Sequence, residues 1–229
     1  MLELLPSSIN ILFMLTAFAT VMLFYYALGK SVSVLVLLFV WLLIQGLISY
    51  TKYYTVTDSM PPRFTLATAL PVLTIIYLFT SESGRKFVDK LDLKTLTYLQ
   101  TVRIPVEIIL FLLFQYGYIP GLMTFEGRNF DILAGITAPF VAYFGFTKKI
   151  LSNKLILIWN IFSLGLLLNI LINAVLSAPF RFQMFAFDQP NVAVLYFPFV
   201  WLPCCIVPIV MVSHLASIRQ LTLITKMIF

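Results

Sequence analysis

The chain has 229 residues, of which 61% are hydrophobic and only 10% charged, with a formal net charge of +6. Water-soluble domains carry nearer a quarter charged residues, so this composition excludes an ordinary soluble fold. The Lys and Arg residues fall in loops between apolar runs, with no basic groove of interleaved aromatics, which excludes nucleic acid as a partner.

Apolar runs of roughly 17–25 residues recur along the whole length, each long enough to cross about 30 Å of hydrocarbon. None alternates apolar and polar residues as a membrane β-barrel strand does. The expected fold class is therefore all-α: a polytopic integral membrane protein, residues 1–229 forming one transmembrane domain around seven helices. The lipid bilayer is its main partner, and the cell (inner) membrane its expected location.

In chain order, the expected spans cover about 8–28, 33–50, 64–79, 104–120, 132–147, 155–176 and 192–215. The opening "MLELLPSSIN" carries Glu3 and no basic residue, and the apolar run continues through Tyr26. That pattern predicts a retained helix rather than a removed signal. Between the third and fourth spans, "TSESGRKFVDKLDLKTLTYLQT" (80–101) can place Phe87, Leu91, Leu96 and Leu99 on one face. It reads as an amphipathic segment on an anionic leaflet, as a solvated loop, or as a helical extension of the fourth span.

With the N-terminus outside, eleven Lys and Arg fall on inner segments and four on outer ones. This positive-inside bias predicts an outside N-terminus and a cytoplasmic C-terminus. A six-span alternative with the N-terminus inside would leave "FTLATALPVLTIIYLF" out of the membrane.

Ionisable residues inside spans are costly and mark candidate sites. Arg103 and Glu107 stand four apart, so a helix stacks them on one face where they can pair. His214, the chain's single histidine, sits near the end of the last span. On a straight helix, Tyr196 and Pro203 share its face. Asn160, Asn169 and Asn173 of the sixth span, with Gln45 and Gln115, read as interhelical amide bonds. Candidate substrate- or proton-binding residues are thus Glu107, Arg103, His214, Tyr196, Asn169 and Asn173.

The segment "TFEGRNFDI" is the most polar outer loop. Its Glu126, Arg128 and Asp131, with Arg181 and Asp188 of the last outer loop, form a candidate polar cluster, and Asn129 or Asp131 is placed to cap the fifth span. In that span Ala134, Ala138 and Ala142 form a small-residue stripe. Such a stripe allows close backbone approach, within the bundle or in a homo-oligomer or membrane partner. The last span holds Pro198, Pro203 and Pro208, whose missing N–H groups free the carbonyls of Val194, Phe199 and Cys204.

No nucleophile elbow, zinc-protease or phosphate-loop signature occurs. A single histidine and scattered acids supply no metal set, so no metal or cofactor is expected. Residues 192–215 contain no lysine, which excludes a retinal Schiff base. The sequence points to a protein that binds or translocates a small solute or a proton within its bundle. Its alternatives are a non-catalytic membrane subunit or scaffold, and an intramembrane lipid-modifying enzyme that needs Arg103, Glu107 and His214 to meet.

Overall fold

A computed structural model of the chain describes residue 2 and residues 4–227, so Glu3 lies outside the described residues. The architecture is all-helical, with no strand among the described residues. The helices are α1 (Ser7–Ala27), α2 (Val32–Tyr50), α3 (Thr65–Thr80), α4 (Glu82–Val88), α5 (Leu93–Leu99), α6 (Arg103–Gln115), α7 (Ile132–Ala142), α8 (Asn153–Leu176) and α9 (Val207–Met227). Five stretches are long and apolar enough to cross a membrane: α1, α2, Leu93–Gln115, α8 and Leu202–Thr225. A sixth forms if α3 and α4 count as one span, although they meet at 92°.

That bend follows from local sequence. The Ser81 side chain caps α4 by accepting the Gly84 N–H at 2.9 Å, as an N-cap serine does. A Cβ on Gly84 would stand 2.6 Å from the Leu78 Cα and the Tyr77 carbonyl oxygen. Only glycine lets α4 fold back this closely on α3.

Of the stretch 80–101, residues 93–101 form the helical extension, while Glu82–Val88 is the separate helix α4. Leu91, Leu96 and Leu99 are core residues, and α5 continues through a 3₁₀ turn at Gln100–Val102 into α6. The fourth apolar run therefore begins at Leu93, eleven residues before the expected start. Arg103 moves from its border to its middle.

The last span is also displaced. It was expected over 192–215, but the helix starts with a π turn at Leu202–Ile206 and runs through α9. Pro198 precedes it and Pro203 lies in its first turn, where a missing N–H costs nothing. The Cys204 carbonyl, freed by Pro208, accepts the Trp41 indole N–H at 2.9 Å. A helix that lacks a backbone donor in an apolar setting needs such a partner.

Two non-helical segments run back along helices in antiparallel register. After α6 ends, a Cβ on Gly121 would meet the Phe114 ring at 3.1 Å. The Phe125 ring then stacks on Phe111 at 5.0 Å, Asn129 bonds Glu107, and Asp131 reaches Arg103. Residues 121–131 thus retrace about 16 Å of α6, at 1.5 Å per residue. In the same way, the Ser49 hydroxyl donates to the Leu195 carbonyl at 3.1 Å, and the Trp201 indole N–H donates to the Leu42 carbonyl at 2.9 Å.

Both α7 and the last helix therefore begin beside the middle of a neighbouring helix, not at the end of the bundle. In these two segments Met123, Thr124, Asn129, Leu195, Phe199 and Val200 are buried, whereas Glu126, Gly127, Arg128 and Phe130 are exposed. Leu4 N–H donates to the Tyr118 hydroxyl at 3.1 Å, while Asp92 N–H donates to the Ala27 carbonyl at 3.0 Å. These contacts define a Tyr118 end and a Lys30 end of the bundle.

Candidate functional site

Arg103 is the hub of a buried polar cluster. Its Nε donates to Asp131 Oδ2 at 2.6 Å, and its Nη2 donates to Asp131 Oδ1, a two-pronged pair. Nη2 also donates to the Ser163 carbonyl at 3.2 Å. Nη1 lies 3.0 Å from His214 Nε2. Arg103 is 2% exposed and His214 0%.

A guanidinium has donors and no acceptor, so His214 Nε2 must accept. Its Nδ1 then carries the hydrogen and donates to Asn160 Oδ1 at 2.9 Å. The imidazole is thereby held as one neutral tautomer between α6 and α8. Trp159 lies against its ring, with centroids 5.8 Å apart.

Glu107 follows one turn after Arg103 but bonds elsewhere. Its Oε2 accepts the Asn129 Nδ2–H at 2.6 Å. Asn129 also donates to the Met123 carbonyl at 3.0 Å and accepts the Asp131 backbone N–H at 3.0 Å. The expected i, i+4 pair of Arg103 with Glu107 is replaced by pairs to the returning segment. The reason is geometric: a carboxylate delivered by separate backbone can meet the guanidinium fork with two oxygens. Neither Asn129 nor Asp131 caps α7 with its side chain, because each is committed to α6.

Asn129, Asp131, Asn160 and Ser163 were missed as members of this cluster. Ser163 Oγ and Gln100 Oε1 are buried without a hydrogen-bond partner. Gln100 lies three residues before Arg103, and Ser163 carries the carbonyl that binds it. The stripe Ala134, Ala138, Ala142 is buried inside the chain, on the helix whose Gly135 packs against Arg103 and Ile104.

Other candidates stand apart. Tyr196 precedes the last helix in a turn, away from the His214 face on which a straight helix would place it. Asn169 donates to the Arg128 carbonyl at 2.7 Å, and Asn173 donates to the Asn169 carbonyl at 3.0 Å. The first bond joins α8 to the returning segment, whereas the second stays within α8. Glu126, Arg128, Arg181 and Asp188 are exposed and make no ion pair among the described residues, so of the outer cluster only Asp131 enters the site. Gln45 accepts the Tyr54 hydroxyl at 2.5 Å. Burial pushes the Tyr54 phenol up to about 12, so it stays a donor near neutral pH.

Taken together, these features define an all-helical protein with several apolar helices that could span a membrane, and with a buried charge cluster where α6, α8, the last helix and the segment before α7 meet. The chain belongs to the family described as a domain of unknown function, DUF8737, whose model matches residues 61–222. That range includes every residue of the Arg103 cluster. No curated protein and no solved structure matches the chain.

Proposed function

We propose that the protein binds a proton in the Arg103 cluster and passes it through the bundle. The observation that carries this reading is a charge count. One guanidinium faces two carboxylates, Asp131 and Glu107, and a neutral imidazole. An unbalanced buried charge costs several kcal/mol, so the cluster reaches neutrality by holding one exchangeable proton on its carboxylates. Asp131 takes both prongs of Arg103, whereas Glu107 has an amide partner, which makes Glu107 the site of exchange.

A proton fits better than a larger solute. Arg103, Glu107, Asp131 and His214 are each 4% exposed or less, so the site is filled by its own side chains. Membrane carriers also place ion sites where spans are broken, and Asp131 stands where the returning segment becomes α7.

In this reading the chain crosses seven times, with α3 and the Ile132–Thr147 helix added to the five long spans. The N-terminus is outside and the Lys30 end lies at the cytoplasmic face of the inner membrane. The surplus of cations at the Lys30 end supports this orientation.

The test is proton flux into liposomes holding the purified protein, driven by an imposed potential and read by an internal pH dye. Wild type is expected to conduct, and Glu107→Gln, which keeps an amide-compatible oxygen, is expected to lose at least tenfold. Equal flux in the two proteins removes Glu107 from the path and overturns the proposal.

A further inference from the structure

A cavity of about 390 Å³ lies between α2, α3 and the last helix, apart from the Arg103 cluster. Its size falls within the ~300–1,000 Å³ of small-molecule sites. The floor is built by Cys204, Cys205 and Val212, all buried. Its rim is Leu37 and Leu70, 66% and 53% exposed. The cavity therefore opens sideways, between two helices whose outer faces are apolar. Thr74 Oγ1 already donates to the Leu70 carbonyl at 2.8 Å, and Trp41 Nε1 to Cys204. Nothing polar is left over to hold a polar ligand, and an apolar cavity of this kind stays dry.

The cavity is asymmetric along the bundle. It is lined from Val34 to Trp41 on α2 and from Leu70 to Leu78 on α3, and it reaches Phe87 on α4. Its Phe87 end lies at the Lys30 end of the bundle. Lys30 precedes Val34 by four residues in the α1–α2 turn, and Lys86 and Lys90 flank Phe87. Lys86 is paired with Glu82 at 2.6 Å. Lys30 and Lys90 are exposed and have no carboxylate partner among the described residues.

We propose that this cleft seats one acyl chain of an anionic phospholipid, with its headgroup at Lys30 and Lys90. The cleft's open rim admits a chain directly from the bilayer. Two cations at its mouth, neither held by a carboxylate although Lys30 Nζ stands 5.9 Å from the Tyr26 ring centroid, select the negative headgroup, as basic residues at a membrane surface do. The chain fills space that α2 and α3 leave between them, and it rests on the helix that carries His214.

The test uses the purified full chain equilibrated with equal parts phosphatidylglycerol and phosphatidylcholine, then read by native mass spectrometry. Wild type is expected to retain one phosphatidylglycerol in preference to phosphatidylcholine. Lys30→Gln and Lys90→Gln are each expected to lower that preference about fivefold, the effect of ~1 kcal/mol per surface lysine. Leu37→Trp, which narrows the rim, is expected to reduce retention of both lipids. Equal retention of the two lipids, a preference unchanged in both lysine variants, or a dimer that carries no lipid each overturns the proposal. These lysines touch no residue of the Arg103 cluster, so a failed lipid result leaves the proton reading standing.

Discussion

Arg103→Leu is expected to destabilise the protein by about 3–5 kcal/mol, measured as unfolding in mild detergent. That is the cost of leaving one member of a buried ion pair without its partner. The substitution strands Asp131 and also removes the donor at His214 Nε2. The double variant Arg103→Leu, Asp131→Leu is expected to recover most of the loss, because replacing both charges leaves no uncompensated ion. If the two single effects simply add, Arg103 and Asp131 are not coupled and the hub assignment is wrong. The coupling is readable because the pair joins residues 28 apart in sequence, on separate backbone segments.

The second large effect is expected at Gly127, which lies in the returning segment and not in the cluster. A Cβ there would stand 2.3 Å from the Gly121 carbonyl oxygen and 2.8 Å from the Leu122 Cα. Both are backbone atoms and cannot rotate away. The same turn is tied by Gly127 N–H to the Thr124 carbonyl at 2.9 Å and by Arg128 N–H to the Leu122 carbonyl at 3.2 Å. Gly127→Ala must push these strands of backbone apart, at about 1–3 kcal/mol for overpacking. The displacement moves Asn129 off Glu107, so proton flux is expected to fall along with stability. An alanine variant as stable and as active as wild type would show that the returning segment does not position Glu107.

Much of the helical layout was legible from apolar runs alone. The expected 8–28, 33–50, 64–79 and 155–176 lie within about two residues of α1, α2, α3 and α8. The errors came where apolarity and helicity part company. Residues 196–200 are as apolar as a span, yet they run as turns, because Pro198 and Pro203 leave no continuous donor ladder. Conversely, Lys94, Thr95 and Thr97 hid the start of the fourth apolar run at Leu93, although Leu96 and Leu99 anchor it in the core.

The site was half legible for a related reason. Arg103, Glu107 and His214 drew notice because ionisable groups in apolar surroundings are expensive, and the structure brings Arg103 and His214 into contact. The partner choice was misread. Helical spacing is a local rule, and it paired Arg103 with Glu107. The segment holding Asn129 and Asp131 looked like an outer loop because it is polar. Composition does not distinguish a loop that faces water from one that folds back to serve a buried cation. An acid two residues after an asparagine, close before a small-residue helix, was the available signal, and it was assigned to capping.

The most direct measurement of the proton-holding cluster is the infrared spectrum of the protein in bilayers at neutral pH, in the region of protonated carboxyl stretches. Wild type is predicted to show one such band, present in Glu126→Gln and absent in Glu107→Gln. No band in wild type, or a band that survives Glu107→Gln, would contradict a proton held beside Arg103.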